Sequence, residues 1–122
     1  MTGERARGDR AERAAEDHLV ALGYRVLERN LHVGRDEIDL LVQRGDLVAI
    51  VEVRLRGATA FEGPLASVDA KKRARLVRAA ERLWRERWKN DPNAPRLRFD
   101  VVGVRFDERG THVEHVTGAF TG

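Results

Sequence analysis

Two segments of the chain carry apolar residues at helical spacing. The first, residues 9–22, has one apolar stripe and is followed by Gly23, a residue typical of helix ends, so a helix is predicted there. The second predicted helix runs from Val68 to Trp88, with Ser67 or Asp69 at the position of its N-cap. The stripes consist of Ala11, Ala15, His18, Leu19 and Leu22 in the first helix and of Leu76, Val77, Ala80, Leu83 and Trp84 in the second.

The other apolar runs are short, rich in Val, Ile and Leu, and typical of β-strands. The predicted strands are 24–29, the two arms of a hairpin within 36–56, 97–106 and 111–117. A loop with two glycines and a proline is predicted over 57–66. Because both faces of the hairpin are apolar, the sheet needs helices on both sides. The pattern therefore predicts an α/β fold, with a mixed sheet of about five strands flanked by helices on both faces.

The 122 residues are enough for one hydrophobic core, and no repeat or linker divides them, so one domain over residues 1–122 is predicted. The stretch MTGERARGDR lacks the apolar core of a signal peptide, and the apolar run Leu47–Val51 is too short to span a bilayer. The sequence has no cysteine, which excludes disulfides and thiol catalysis within it. These features predict a cytoplasmic protein with no membrane partner.

Four charged residues lie in the hairpin, where an apolar strand has no need of them. A Gly-Asp turn at 45–46 sets the register, and counting outward places Asp39 opposite Glu52 and Glu37 opposite Arg54, all on one face. The predicted pairs nearer the turn are Arg44–Leu47, Val42–Ala49, Leu41–Ile50 and Leu40–Val51.

Opposed carboxylates at 39 and 52 need compensation. Two such groups about 5 Å apart repel by roughly 3 kcal/mol at an effective dielectric of about 20. One solution is a divalent cation such as Mg²⁺, which prefers carboxylate oxygens. The other is a structural salt-bridge cluster in which Arg54 and Arg56 neutralise Asp39 and Glu52. The residues alone leave both solutions open.

An acid followed about a dozen residues later by Glu-x-basic resembles the PD-(D/E)xK nuclease motif, here Ile-Asp at 38–39 and Glu-Val-Arg at 52–54. Further segments resemble the YraN family in order and spacing: GDRAERAAEDHLVALGYRVLERN, EIDLL, VEVRLR, ASVDAKKRARL, RFDVV and the closing AF. The resemblance covers the chain from about residue 8 to residue 120. It implies a restriction-endonuclease-like fold of the Holliday-junction-resolvase-like branch.

The resemblance also implies a function. It implies a metal-dependent endonuclease that hydrolyses phosphodiester bonds of DNA, branched DNA included, with Mg²⁺ or Mn²⁺ as cofactor. Asp39 and Glu52 would be the metal-binding carboxylates, and the Val53 carbonyl a third ligand. Glu12, in the first helix, would approach the same site. Because resolvase-like proteins often dimerise, a homodimer is implied as well.

Arg54 departs from the superfamily motif, which has lysine at this position. Arginine stays protonated and cannot act as a general base, but it can stabilise charge on a phosphoryl group. Lys72, in the first turn of the second helix, is expected to share the role of the missing lysine. The substitution leaves a second hypothesis open, a nucleic-acid-binding module that keeps the nuclease fold without cleavage.

A stripe of basic residues follows the second helix: Lys71, Arg75, Arg78, Arg82, Arg85 and Lys89. With a net charge of +3 and a pI of about 9.9, such a stripe suits a phosphate backbone. Lys71, Arg75, Arg78 and Arg56 are therefore predicted to bind nucleic acid. A solvated helix face is the alternative, and the stripe is expected to point away from the sheet. A third hypothesis, a protein-interaction domain with a structural charge cluster, also stays open, as does the choice between DNA and RNA.

Overall fold

The computed structural model describes residues 3–57 and 68–121. In this part of the chain, two helices pack on opposite faces of one five-stranded sheet. The elements are α1 (Gly3–Ala21), β1 (Arg25–Val33), β2 (Asp36–Arg44), β3 (Leu47–Arg56), α2 (Ala70–Arg87), β4 (Arg96–Asp107) and β5 (Gly110–Phe120). Neither of these helices is long and apolar enough to cross a membrane.

The sheet is mixed, and its strands lie in chain order from β1 to β5. Neighbouring strands are antiparallel except β3 and β4, which run parallel because the chain crosses over through α2 between them. The predicted α/β fold is confirmed: a restriction-endonuclease-like mixed sheet of five strands with helices on both faces.

The central strands β2, β3 and β4 are buried on both faces, each face beneath one helix. On one face α2 buries Leu83 against the β2–β3 hairpin, and on the other α1 buries Ala15 and Leu19. Consecutive residues of β3 alternate between the two layers, since Ile50 packs in the α2 layer and Val51 in the α1 layer. Full burial of a side chain such as Leu83 stabilises the fold by ~1.5–3 kcal/mol.

Both predicted helices are present, with shifted ends. α1 begins at Gly3, ahead of the first apolar residue of its stripe. α2 begins directly after Asp69, whose carboxylate accepts a hydrogen bond of 2.8 Å from the backbone N–H of Lys72, as an N-cap does. Ser67, the other predicted cap, and nearly all of the predicted loop lie outside the described residues.

All five predicted strands are present, and several extend beyond their predicted ends. β1 continues to Val33 because its ladder with β2 reaches the pair Val33–Asp36. β5 continues to Phe120, which pairs with Phe99 of β4. These strand ends are set by backbone hydrogen bonds between strands, which the pattern of apolar residues does not predict.

The predicted hairpin register is confirmed from the turn as far as the pair Leu40–Val51. Gly45, the first turn residue, has a φ of +62°, the left-handed conformation that glycine adopts at little cost.

Beyond that last pair, β2 and β3 separate. The backbone pairs predicted for Asp39 with Glu52 and for Glu37 with Arg54 do not form, so this part of the register prediction was wrong. β3 still pairs with β4 on its other edge, where Arg54 lies beside Gly103. Because like charges directly opposed in a ladder are destabilising, the separation leaves room for the acidic side chains at this end of the hairpin.

Candidate functional site

The Asp39 carboxylate occupies the position of a missing strand partner. Where β2 and β3 separate, Asp39 Oδ2 accepts a hydrogen bond of 2.8 Å from the backbone N–H of Val53. In an unbroken ladder that N–H would bond to the β2 backbone. Glu52, the preceding residue, is 2% exposed, and the charge of its carboxylate acts on Asp39. A buried Glu52 and a partly buried Asp39, from adjacent strands, therefore come close together.

This closeness changes the acidity of Asp39. Burial, and then the charge of Glu52, raises the pKa of Asp39 to about 7. The Val53 N–H and the Lys72 charge lower the pKa without cancelling that rise. Asp39 is therefore harder to deprotonate than an ordinary aspartate.

Two cations approach one oxygen of Glu52. Lys72 Nζ lies 3.5 Å from Glu52 Oε2, and Arg54 Nη1 lies 3.4 Å from the same atom. Lys72 comes from the capped first turn of α2, whereas Arg54 follows Glu52 along β3. The two side chains are 34% and 37% exposed, so both can also contact a molecule bound from solvent.

The other oxygen of Glu52 is left without a partner. Glu52 Oε1 is buried and makes no hydrogen bond within the described part of the chain. Such an atom is costly in a protein interior, and a hard cation would satisfy it. The residues present fit a divalent cation held by two carboxylates. Among residues 3–57 and 68–121 no group of three or more His, Cys, Asp or Glu could hold a metal ion, so further ligands would be backbone oxygens or water.

Glu12 lies beside Asp39 in a recess of about 170 Å³ that both residues line. Asn30 of β1 connects Glu12 to a second acid: with its amide nitrogen directed at them, it donates to Glu12 Oε1 and Glu37 Oε2, each at 3.1 Å. Burial, and then the charge of Asp39, raises the pKa of Glu12. Asn30 thus holds Glu12 next to the carboxylate pair.

Asp39 also lines a larger cleft of about 740 Å³, together with the α2 residues Lys71, Lys72, Arg75 and Arg78. Three of the predicted nucleic-acid-binding residues therefore share a cleft with a predicted metal ligand. The expectation that the stripe points away from the sheet was wrong for these residues. They share the cleft with Arg35 and Asp36 at the β1–β2 turn. Arg78 also donates two hydrogen bonds, of 3.0 and 2.8 Å, to the Asp36 carboxylate at the start of β2.

Two of the predicted site residues take other positions. Arg56 lies at the end of β3 beside Arg105 of β4 and does not belong to the described lining of the 740 Å³ cleft. Val53 contributes its backbone N–H to Asp39. The role of its carbonyl as a metal ligand stays a prediction.

Asn30 is the residue of this site that sequence reasoning missed. Among the described residues it is the one non-glycine residue with a positive φ, 49°, a conformation that asparagine tolerates better than most residues. An asparagine within a charged edge strand was the available signal. Its partners lie on α1 and β2, so the sequence around it does not reveal them.

Comparisons of the sequence with a family model and with known relatives agree on one family. The model of the "Uncharacterised protein family UPF0102" matches residues 11–104. A UPF0102 protein of Sorangium cellulosum is 46% identical, over 95% of this chain and 81% of the relative's length. A UPF0102 protein of Anaeromyxobacter is 44% identical, over 97% of this chain and 86% of the relative's length. Among solved structures, Pyrococcus furiosus SfsA in complex with Ca²⁺ is 17% identical, with a TM-score of 0.42 over 93% of this chain and 63% of that one.

Proposed function

Because the chain belongs to the UPF0102 family, also called YraN, we propose that it is a metal-dependent endonuclease that hydrolyses phosphodiester bonds of DNA. One observation carries the proposal: Asp39, which lines a cleft with basic side chains, lies beside the buried Glu52, one oxygen of which has no partner in the described part of the chain. Buried acids with a raised pKa in a cleft are typical of functional sites. Basic side chains are what a phosphodiester substrate requires.

The two carboxylates are the proposed ligands of Mg²⁺ or Mn²⁺, with the Val53 carbonyl as a third. A divalent cation held there would acidify water and offset the charge that builds on a phosphoryl oxygen. Binding it would also satisfy Glu52 Oε1 and would favour the ionised form of Asp39. The carboxylate pair therefore gains more from a cation than isolated surface acids would.

The basic side chains at the site have different proposed roles. The Arg54 guanidinium stabilises negative charge on the phosphoryl group. The Lys72 ammonium, 3.5 Å from Glu52 Oε2, orients the attacking water and supplies from α2 the lysine that β3 lacks. Glu12, fixed at Oε1 by Asn30, takes up the proton of that water at its other oxygen.

The test is cleavage of labelled linear, single-stranded and four-way-junction DNA with Mg²⁺ or Mn²⁺. We expect cutting by the wild-type protein and a loss of at least about 100-fold in Asp39→Asn and in Glu52→Gln. Glu114→Gln, which removes an exposed acid on β5, is the matched control and should cut like wild type. No cutting by any protein, or equal cutting by all four, would overturn the proposal.

A second candidate function is supported by Arg54, which stands where nucleases of this type have lysine. On that hypothesis the chain binds nucleic acid without cleaving it. Binding should then be salt-sensitive and should persist in Asp39→Asn, while wild-type protein cuts none of the three substrates.

A further inference from the structure

The cleft beside Asp39 continues into a second one. This second cleft has a volume of about 400 Å³ and shares Arg35, Asp36 and Arg78 with the first. Its remaining lining includes Gly34, in the β1–β2 turn, and Arg82 and Arg85 of α2. The two clefts together form a groove, here called the α2 groove, which leads from the carboxylates along the helix.

The α2 groove is basic along its helix wall, whereas its sheet wall carries Glu37 and Asp39 in the first half and Arg35 in both halves. Lys71, Arg75, Arg78, Arg82 and Arg85 line it from the helix, and Arg35 lines it from the turn. The acid within its second half is Asp36, which is already bound by both ends of the Arg78 guanidinium and whose side chain is 10% exposed. A polyanion in this half would therefore meet positive charge from two sides.

The walls approach each other closely at the turn. Gly34 has a φ of +63°, and a Cβ at this position would lie 2.5 Å from Nη1 of Arg82. A glycine at this point lets the Arg82 guanidinium extend over the turn. Arg82 also bonds Glu86 at 3.0 Å on the outer side of α2, so its charge is shared between the groove and solvent.

We propose that the α2 groove binds the sugar-phosphate backbone of one unpaired nucleic-acid strand, which passes the Asp39–Glu52 pair and runs toward Arg85. This rests on the proposed function, because it names the form of substrate that reaches the same site. The helix from Lys71 to Arg85 spans about 21 Å at ~1.5 Å per residue. That length matches about six phosphates of a stacked strand at ~3.4 Å spacing. In the second half of the groove, basic residues on two sides suit one backbone held between them.

Binding is measured by fluorescence anisotropy in chelator, so the result does not depend on cleavage. The probes are labelled oligothymidylates of four, eight and twelve nucleotides and a blunt twelve-base-pair duplex. Affinity should rise from four to eight nucleotides and then level off, and the duplex should bind at least about tenfold more weakly than the twelve-nucleotide strand. If five phosphates are neutralised, the slope of log affinity against log salt should be about −3.5.

The variant Arg75→Gln/Arg85→Gln removes one charge from each half of the groove. It should weaken single-strand binding about 25-fold at 0.1 M salt and reduce the slope to about −2, at ~0.7 per phosphate contact. Arg25→Gln, at the opposite end of the sheet, is the matched control and should bind like wild type.

Equal or tighter binding of the duplex, or equal binding by the double variant, would overturn the groove assignment. Cleavage with Mg²⁺ by a protein that fails this binding test would leave the proposed endonuclease function intact. Length-dependent strand binding by a protein that never cleaves would instead support the groove and overturn the endonuclease.

Discussion

Glu52 and Asp100 are charged residues buried to a similar degree, 2% and 1% exposed, in surroundings of opposite character. Asp100 accepts two hydrogen bonds of 2.7 Å from Arg98, one of 2.8 Å from His115 and one of 3.1 Å from the Gly118 backbone N–H. Burial raises the pKa of Asp100, but the bonds from His115, Arg98 and Gly118 outweigh it and hold the pKa below its ordinary value.

Glu52 has much poorer partners. Its nearest cations stay at 3.4 and 3.5 Å from one oxygen, its other oxygen has no partner in the described part of the chain, and it meets a second carboxyl group whose pKa is raised. A buried acid that the protein fully satisfies contributes to structure. A buried acid left partly unsatisfied in a cleft costs stability and indicates a ligand. The comparison distinguishes a carboxylate that the protein satisfies from one that it leaves partly unsatisfied, which is the one proposed to bind a cation.

The largest expected effect comes from removing the satisfied acid. Asp100→Ala should lower the free energy of unfolding by about 3–5 kcal/mol, because Arg98 and His115 lose the charge that their buried atoms bind. Urea unfolding followed by circular dichroism measures this, with Asp17→Ala on the exposed side of α1 as control. Equal stability of the two variants would show that burial does not distinguish Asp100.

The next effect is stabilisation by metal. At about a hundredfold excess over its dissociation constant, Mg²⁺ or Mn²⁺ should raise the free energy of unfolding of the wild-type protein by about 2.7 kcal/mol. Asp39→Asn and Glu52→Gln should lose this gain, and Glu114→Gln should retain it. Thermal unfolding with and without the ion decides the matter, and the same shift in every protein would contradict a site at the carboxylate pair.

The third effect is a gain in stability. Substitution of Asp39 should raise the free energy of unfolding, whereas substitution of Asp100 lowers it. In chelator at pH 8, Asp39→Asn should be more stable than wild type by ~2 kcal/mol, because the variant lacks one of two repelling carboxylates. The pKa of Asp39 is raised to about 7, so wild-type stability should fall as pH rises from about 4 through 7. The advantage of the variant should therefore disappear near pH 4.

For Asp100 the pKa is lowered, so its contribution is present above the ordinary carboxyl range and is lost as the pH falls through its folded value. The cost of Asp100→Asn should accordingly shrink only in acid. Unfolding curves of both variants from pH 3 to 9 measure the two trends, and parallel pH profiles would contradict the difference between the two acids.

The smallest effect concerns Asn30. Asn30→Asp should lower stability by about 1 kcal/mol at pH 8, since it adds a carboxylate between Glu12 and Glu37, and the loss should vanish near pH 4. Asn93→Asp, at an exposed position, is the control. A loss that is unchanged at low pH would indicate that Asn30 serves only its own backbone conformation.

The sequence predicted most of the fold because apolar periodicity records which faces are buried. Alternation in the hairpin is produced by the two layers that cover it, and turn chemistry at Gly45 set the register up to Leu40–Val51. The separation of β2 and β3 could not be predicted by counting residues. It depends on the Asp39 carboxylate accepting the Val53 N–H, a contact between a side chain and a distant backbone.

The candidate site was predictable only in part for the same reason. The spacing of Asp39 and Glu52 on a hairpin was enough to predict that they lie close together. The position of Lys72 at the flank of the buried face of α2 was enough to predict that it approaches them. The position of the basic stripe relative to the sheet depends on how α2 packs against the β1–β2 turn. Apolar periodicity predicts which face of a helix is buried. It does not predict which parts of the protein lie beside the edges of that face.

The parallel pairing of β3 with β4 also orders the assembly of the site during folding. Asp39 and Glu52 are joined by a short hairpin, which forms quickly, whereas β3 and β4 meet only after the segment containing α2 has closed between them. The two acids should therefore come together before Lys72 reaches them. Divalent cations should then speed refolding of the wild-type protein but not of Asp39→Asn, and equal acceleration of both in stopped-flow experiments would contradict this order.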